Sequence, residues 1–268
     1  MAAGTFAKTG TEKEVLFPSK TGRFVRLRAL SEINGNPWTS VAELNVLAGN
    51  MASVDEYVAF GDSITFGVGD NYSQDDTSRD GRNTGGGFEP ILNNLLTSAK
   101  GIPHSIVNEG YGGYKSSDAL KTNLPGDVWE VLARHPNATY YLILFGTNDC
   151  DPNFPVTPSG KGLNPGTPGY SGSYKDNMQK IITAIKSAGK IPYLAKVPYT
   201  LDAARIAMIL EYNQVINELV SANEISVPPP DFFDWFQAHQ DQLADPLHPN
   251  GVGYHFMANL WCSALGCP

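Results

Sequence analysis

Short apolar runs alternate with helix-like segments over most of this chain of 268 residues. Four runs end abruptly at glycine, proline or polar residues, which is typical of strands buried on both faces of a parallel sheet; they span residues 57–60, 104–107, 138–145 and 191–197. Between them, apolar residues recur at the spacing of helices that pack one side on a sheet. The alternation predicts an α/β fold with helices on both faces of a parallel sheet. In such folds, ligands bind beyond the carboxyl ends of the strands.

The same pattern makes three local predictions. A helix is expected to begin within Lys115–Leu120, and an edge strand is expected over Val227–Phe233 in spite of its three consecutive prolines. Asp202 is expected to cap a long helix in which Leu210 faces inward.

A serine lies just beyond the first apolar run, in Gly61-Asp62-Ser63. Its hydroxyl scarcely ionises at neutral pH, so it becomes a nucleophile only beside a general base that a third group orients. Far along the chain, the segment Asp245–Asn250 contains two prolines, which exclude a regular helix. On that rigid turn the Asp245 carboxylate can reach Nδ1 of His248 and leave Nε2 for Ser63.

Two further polar segments, Asn108–Gly113 and Gly146–Asp149, directly follow apolar runs. At those positions a glycine N–H and an asparagine side-chain N–H, with the N–H of Ser63, are expected to stabilise a developing oxyanion. Plainer interpretations exist for each residue taken singly: a serine after a strand often caps a helix, and an asparagine often forms an Asx turn. The presence of all four segments favours the catalytic interpretation.

Taken in the order in which they occur along the chain, the four segments resemble the motifs of the SGNH (GDSL) hydrolase superfamily, and the resemblance covers roughly residues 55–268. The resemblance implies a three-layer αβα, flavodoxin-like fold. It also implies a serine esterase in which Ser63 is the nucleophile, His248 the general base and Asp245 its orienter. The lipase signature G-x-S-x-G is absent, which argues against the ordinary α/β-hydrolase architecture.

The resemblance also assigns the oxyanion hole. Its donors are expected to be the N–H groups of Ser63 and Gly113 and the side-chain amide of Asn148. Because Gly112 is adjacent to Gly113, a shift by one residue stays open. The chemistry requires no cofactor, and we assign no metal site. Asp62 and Asp149 are expected to be structural.

Residues 1–50 are expected to form a separate β appendage, with 55–268 as the catalytic domain. Gly22–Leu47 resembles the closing strands of discoidin-like carbohydrate-binding modules, which are considerably longer. Two or three strands alone are marginally stable. The segment is therefore expected to pack on the catalytic domain; pairing with a second copy, giving a homo-oligomer, and disorder are the alternatives. No sugar binding is assigned to it alone.

The net charge of −8 and the pI near 5.1 argue against nucleic acid and anionic membranes as partners. No apolar run approaches the ~20 residues of a membrane span. The N-terminus shows no signal-peptide pattern, yet the low charge and the many glycines and prolines favour an extracellular protein over a cytoplasmic one. Cys262 and Cys267 can close a small loop and leave Cys150 unpaired, but three cysteines are too few to decide.

The carbohydrate-module resemblance favours a substrate that is a short-chain acyl ester, an acetyl ester above all, on a polysaccharide such as xylan. No long apolar surface helix indicates a lipid interface. A lipid, phospholipid or thioester hydrolase of the same superfamily remains an alternative. A carbohydrate-binding protein with a vestigial hydrolase domain is an alternative from another class.

Overall fold

The computed structural model describes residues 55–71, 86–101 and 104–267. The predicted β appendage, residues 1–50, lies outside these ranges, and so do the predictions about its packing and pairing.

Four parallel strands form a single sheet in the order β2-β1-β3-β4. They are β1 (Asp55–Gly61), β2 (His104–Gly110), β3 (Tyr140–Leu144) and β4 (Ile191–Leu194). Each overlaps one of the four apolar runs, which confirms the predicted α/β fold with a parallel sheet.

Seven α-helices connect and cover the strands within the described ranges: α1 (Ser63–Phe66), α2 (Glu89–Lys100), α3 (Val128–Arg134), α4 (Tyr174–Ser187), α5 (Ala203–Ala222), α6 (Phe232–Ala238) and α7 (Gly251–Ala264). Most begin at a polar residue whose side chain accepts a hydrogen bond from a first-turn N–H; these caps are Asp62, Asp127, Ser173, Asp202, Asp231 and Asn250. The helix capped by Asp202 was predicted, whereas α3 was not.

Two apolar layers lie on opposite faces of the sheet. Alternate residues of β1 point to opposite faces, so Val58 and Phe60 pack with α3, α4 and α5, whereas Tyr57 and Ala59 pack with α2, α6 and α7. The result is a three-layer αβα arrangement. The loops after β1, β2 and β3 emerge at the carboxyl edge of the sheet.

The prediction that a helix begins within Lys115–Leu120 is wrong, because only a single 3-10 turn, Asp118–Leu120, forms there. The N–H of Lys115 donates to the Asp118 carboxylate. The N–H and the hydroxyl of Ser116 both donate to Asp149, at 2.8 and 2.6 Å. Side-chain bonds to the loop after β3 thus fix this segment in place of helical ones.

The prediction of an edge strand over Val227–Phe233 is also wrong. Three prolines remove the N–H donors that a strand needs, and Asp231 instead begins α6 at Phe232. The inward assignment of Leu210 fails too, since 45% of its surface is exposed. Ile209 is buried, and adjacent helical positions point about 100° apart.

Cys262 and Cys267 form a disulfide at the end of α7, and Cys150 is a free, buried thiol. Burial raises the pKa of Cys150 to about 12, which leaves the thiol protonated. None of the helices in the described part of the chain has the length and apolar character of a membrane span.

Candidate active site

The strand register brings three loops side by side. Gly61, the last residue of β1, pairs with Gly110 of β2 and with Leu144 of β3. Ser63 follows two residues after Gly61, and Asn148 follows four residues after Leu144. Parallel strands end at the same edge of a sheet, so these loops share the carboxyl edge.

The turn that carries Ser63 is held by the last residues of β2. Asn108 donates through Nδ2 to the carbonyl oxygen of Thr65 at 2.7 Å, and its Oδ1 accepts from the Gly110 N–H at 2.9 Å. A Cβ at Gly110 would lie 2.2 Å from the backbone nitrogen of Phe66. Only glycine therefore permits α1 to lie this close to the end of β2.

Ser63, His248 and Asp245 form one hydrogen-bonded chain. Nε2 of His248 lies 2.9 Å from Oγ of Ser63, and Nδ1 lies 2.7 Å from Oδ2 of Asp245. The structure thus brings together residues that are 185 positions apart in the sequence. This is the geometry that a serine nucleophile and its base require.

The second oxygen of Asp245 organises its own loop. Oδ1 accepts from the N–H of Leu247 at 2.7 Å and from the N–H of His248 at 2.9 Å. Burial works against ionisation of Asp245, but these two N–H groups and the His248 ring outweigh it and hold the pKa of Asp245 below its usual value. A carboxylate that stays ionised can hold Nδ1 of the imidazole in its protonated form.

The three expected oxyanion donors lie on the three adjacent loops. Asn148 donates through Nδ2 to the carbonyl oxygen of Tyr114 at 3.0 Å, which fixes the amide and leaves its second hydrogen. Among the described residues, the N–H groups of Ser63 and Gly113 donate to no protein acceptor. Gly113 has φ +79°, a left-handed conformation that favours glycine, whereas Gly112 does not.

Two buried acids lie beneath the site. Oδ1 of Asp62 accepts from the Ile64 N–H at 2.9 Å, and its Oδ2 has no hydrogen-bond partner within the described ranges. Burial raises the pKa of Asp62 to about 7, against the Ile64 bond, and the charge of Asp149 adds to the rise. Burial also raises the pKa of Asp149, against its two bonds from Ser116. Asp62 caps α1 and Asp149 fixes the loop at Ser116, which are structural contacts.

Residues that the sequence patterns missed surround this edge. Glu109 is fully buried in β2 and binds the Arg134 guanidinium, the His135 ring and the Tyr111 hydroxyl. Burial works against ionisation of Glu109, but these partners hold its pKa below the usual value. Arg205 of α5 reaches the loop after β3. Neither was predictable, because Glu109 binds Arg134 from 25 residues away and Arg205 binds Thr147 from 58 residues away, and no short motif marks either pair.

A metal-binding set is absent from residues 55–71, 86–101 and 104–267, where no three His, Cys, Asp or Glu side chains come together suitably. The polar groups at the carboxyl edge are instead donors and a serine–imidazole pair. That set suits attack on a carbonyl carbon and stabilisation of the resulting oxyanion.

A model of the GDSL-like lipase/acylhydrolase family matches residues 59–256, about three quarters of the chain. The matched span contains all five of the predicted site residues: Ser63, Gly113, Asn148, Asp245 and His248.

Solved structures with the same fold are similar at low sequence identity. LAE5, described as an alpha/beta hydrolase enzyme from the metagenome of Lake Arreo in Spain, is 23% identical with a TM-score of 0.57, over 81% of this chain and 99% of that one. A lipase/acylhydrolase from Enterococcus faecalis is 22% identical with a TM-score of 0.55, over 79% of this chain and 95% of that one. Axe2, an acetylxylan esterase from Geobacillus stearothermophilus, is 18% identical with a TM-score of 0.56, over 79% and 94%.

Among curated proteins, a galactose oxidase from Gibberella zeae is 46% identical over 46 residues. This match covers 17% of the chain and only 7% of the galactose oxidase, so it concerns a small part of that protein.

Proposed function

The chain belongs to the GDSL-like lipase/acylhydrolase family, and from that premise we propose that it is a serine esterase that hydrolyses short-chain acyl esters, acetyl esters above all, on carbohydrate. The observation that carries the proposal is the 2.9 Å contact between Oγ of Ser63 and Nε2 of His248, continued to Asp245. A serine that only stabilised the fold would not require a hydrogen bond to a histidine that an aspartate orients.

In the first half of the proposed reaction, Oγ of Ser63 attacks the ester carbonyl carbon while Nε2 of His248 takes the hydroxyl proton. Asp245 holds Nδ1–H and stabilises the imidazolium that forms. Collapse of the tetrahedral intermediate breaks the bond to the alcohol oxygen, which receives the proton from His248. The acyl group is left on Ser63.

In the second half, water takes the place of the alcohol. His248 removes a proton from the water as it attacks the acyl-enzyme, and then returns that proton to Ser63 as the carboxylic acid leaves. Both halves pass through an oxyanion. The N–H groups of Ser63 and Gly113 and the second hydrogen of the Asn148 amide are the proposed donors to it.

Three considerations support the proposed substrate class. Axe2, which shares the fold, acts on acetylxylan, and the discoidin-like resemblance of Gly22–Leu47 favours a carbohydrate context. The acidic chain favours a neutral or cationic substrate over a polyanion. An acetyl ester on a neutral polysaccharide satisfies each of these considerations.

One observation favours longer acyl chains as a second candidate. Phe154 is 63% exposed and Val156 is 38% exposed, and both lie on the loop that follows Asn148. The Lys115 ammonium lies 5.9 Å from the centroid of the Phe154 ring and donates to the carbonyl oxygen of Pro155, which places this loop against the loop after β2. Exposed apolar groups at this position can contact an acyl tail.

A series of p-nitrophenyl esters from acetate to laurate, together with acetylated xylan, separates the two candidates. We expect the highest kcat/KM on acetate, release of acetate from xylan, and loss of both activities in Ser63→Ala. Ser221→Ala, a change on an exposed serine at the end of α5, is the matched control and should retain wild-type rates. A maximum at long chains supports the second candidate instead.

Two results contradict the proposal. Turnover retained by Ser63→Ala removes Ser63 as the nucleophile. Binding of xylan without cleavage of any ester, by a folded wild-type protein, supports a carbohydrate-binding protein with a vestigial hydrolase domain.

A further inference from the structure

Arg205, at the start of α5, is almost fully buried, with 4% of its surface exposed. Its Nη1 donates to the carbonyl oxygen of Thr147 at 2.6 Å, and its Nη2 lies 2.9 Å from Oδ2 of Asp151. These partners stand on either side of Asn148 in the loop after β3. A planar guanidinium with two fixed partners holds both in a defined orientation, which a flexible ammonium does not.

The third donor of the guanidinium, Nε, binds Oδ2 of Asp202 at 2.9 Å. The Asp202 N–H donates to Oγ1 of Thr200 at 3.0 Å, and the Thr200 hydroxyl donates to the carbonyl oxygen of Pro246 at 2.6 Å. The N–H of Leu201 reaches the same carbonyl at 2.9 Å. Pro246 adjoins Asp245, so this series of bonds ends in the loop that carries the base.

We infer that Arg205 is a positioning residue for the esterase reaction, and that residues 200–205 form a bridge between the loop of Asn148 and the loop of His248. The inference rests on the proposed function, since it assigns a role to Arg205 only through Asn148 and His248. The bridge fixes the distance between the group that moves the proton and the group that stabilises the oxyanion.

The physical reason lies in the peptide that joins Thr147 to Asn148. Its carbonyl oxygen and the Asn148 N–H share one plane, so a guanidinium that holds the carbonyl also fixes the direction in which Asn148 leaves the backbone. Without that bond the peptide plane can rotate and the amide moves relative to the oxyanion. A displacement of about 1 Å at a catalytic group can cost on the order of 100-fold in rate.

Arg205→Lys is the first test, because it keeps the charge and removes the planar fork. We expect kcat and kcat/KM on p-nitrophenyl acetate to fall together by roughly 10- to 100-fold, because both halves of the reaction use the oxyanion donors. KM should stay within about twofold, since contacts with the ground-state ester are unchanged.

Lys175→Gln is the matched control. Lys175 is also a buried cation, 9% exposed, that donates at 2.6 Å to one backbone carbonyl, of Leu163, and at 2.6 Å to one carboxylate, of Glu218. It lies on α4 and contacts none of the five predicted site residues. Both variants should unfold at a lower temperature than the wild type, but only Arg205→Lys should lose kcat.

A double-mutant cycle with Asn148→Ala distinguishes positioning from general destabilisation. If Arg205 acts through Asn148, Arg205→Lys should reduce kcat by less than about threefold in the Asn148→Ala background. Thr200→Val tests the other half of the bridge without touching Arg205; we expect a loss of kcat of roughly 3- to 10-fold that Thr200→Ser restores, because serine keeps the hydroxyl.

Wild-type kcat in Arg205→Lys, or an equal loss with and without Asn148, overturns the inference. If Arg205→Lys does not fold, the Thr200 pair decides: an unchanged kcat in Thr200→Val overturns the bridge, and a loss restored by Thr200→Ser supports it. Inactive Ser63→Ala beside fully active Arg205→Lys removes only this inference, whereas active Ser63→Ala removes the proposed function itself.

Discussion

The two halves of the candidate site are built in different ways. The nucleophile half is largely buried: Gly61 and Asp62 are buried, and the turn after β1 is tied to the end of β2 by Asn108 and by the close approach of Gly110 to α1. The base half is more exposed: the side chain of Asp245 is 45% accessible and that of His248 is 16% accessible. Asp245 orders its loop by accepting the N–H groups of Leu247 and His248.

Because the two halves differ in burial, changes in them should affect different quantities. On the nucleophile half, the residues that support Ser63, such as Asp62 and Gly110, are buried, so changes there should act on the free energy of unfolding. In the base loop, residues 245–250, Asp245 is exposed and His248 is half-buried, so changes at these two residues should act on the rate and leave the fold intact. The predictions below test this division.

The largest expected effect is on the base half. His248→Ala should lower kcat by about 10⁶-fold, and Asp245→Asn by about 10⁴-fold, because the nucleophile loses its base in the first and the orientation of that base in the second. Stability should change by less than about 1 kcal/mol in either variant. Steady-state kinetics and urea unfolding measure both quantities.

His255→Ala, a change on an exposed histidine of α7, is the control and should retain the wild-type rate. If His248→Ala or Asp245→Asn lowers the free energy of unfolding by clearly more than about 1 kcal/mol, the base loop is structurally coupled to the sheet and the proposed division is wrong.

On the nucleophile half, the dependence of stability on pH should follow Asp62. Its pKa is about 7 in the fold, above the ordinary value of 3.8, so the folded protein binds a proton that the unfolded chain has released. Wild-type stability should therefore fall as the pH rises between about 4 and 7. Asp62→Asn keeps an oxygen acceptor for the Ile64 N–H and removes this loss. Relative to the wild type, it should gain about 2–3 kcal/mol between pH 5 and pH 8.

Urea titrations of both proteins at pH 5 and pH 8 measure this difference. Asp245→Asn is the matched control: the pKa of Asp245 is lowered, so its carboxyl is ionised in both states throughout that range and the difference from wild type should not change. Parallel stability profiles for Asp62→Asn and the wild type count against a protonated Asp62.

A further prediction on the nucleophile half concerns the close approach at the end of β2. Gly110→Ala places a Cβ 2.2 Å from the nitrogen of Phe66, so backbone must move, and we expect a loss of about 2 kcal/mol or more. Gly112→Ala is the control. A Cβ at Gly112 meets nothing within 4 Å, so its stability should change by less than about 0.5 kcal/mol. Equal effects at Gly110 and Gly112 contradict the tight packing of α1 against β2.

The parts of the molecule that the sequence predicted are those set by local patterns. The apolar runs predicted the strands and their parallel pairing, whereas the order β2-β1-β3-β4 was not predicted. Asp245 and His248 were predictable because they are only three positions apart on a turn with two prolines, which brings the carboxylate to the imidazole. The contact with Ser63 was predicted from the resemblance and from the common edge of the strands.

The errors and omissions arise where long-range contacts outweigh local preference. The segment after Gly113 does not become a helix because Asp149, on another loop, takes the donors of Ser116. Arg205 was missed because its role depends on the carbonyl oxygen of Thr147. Every residue has a carbonyl, so no pattern of side chains marks the one that a guanidinium will bind.

Covalent labelling tests the central claim most directly. The protein is treated with a p-nitrophenyl phosphonate, whose phosphonyl group imitates the tetrahedral intermediate, and the adduct is located by peptide mass spectrometry. We predict one phosphonyl group per chain, attached to Ser63, appearing at the rate at which esterase activity is lost, and labelling slowed severely in His248→Ala. Complete loss of activity with Ser63 unmodified, or with the label on another residue, would contradict the pairing of Ser63 with His248 as nucleophile and base.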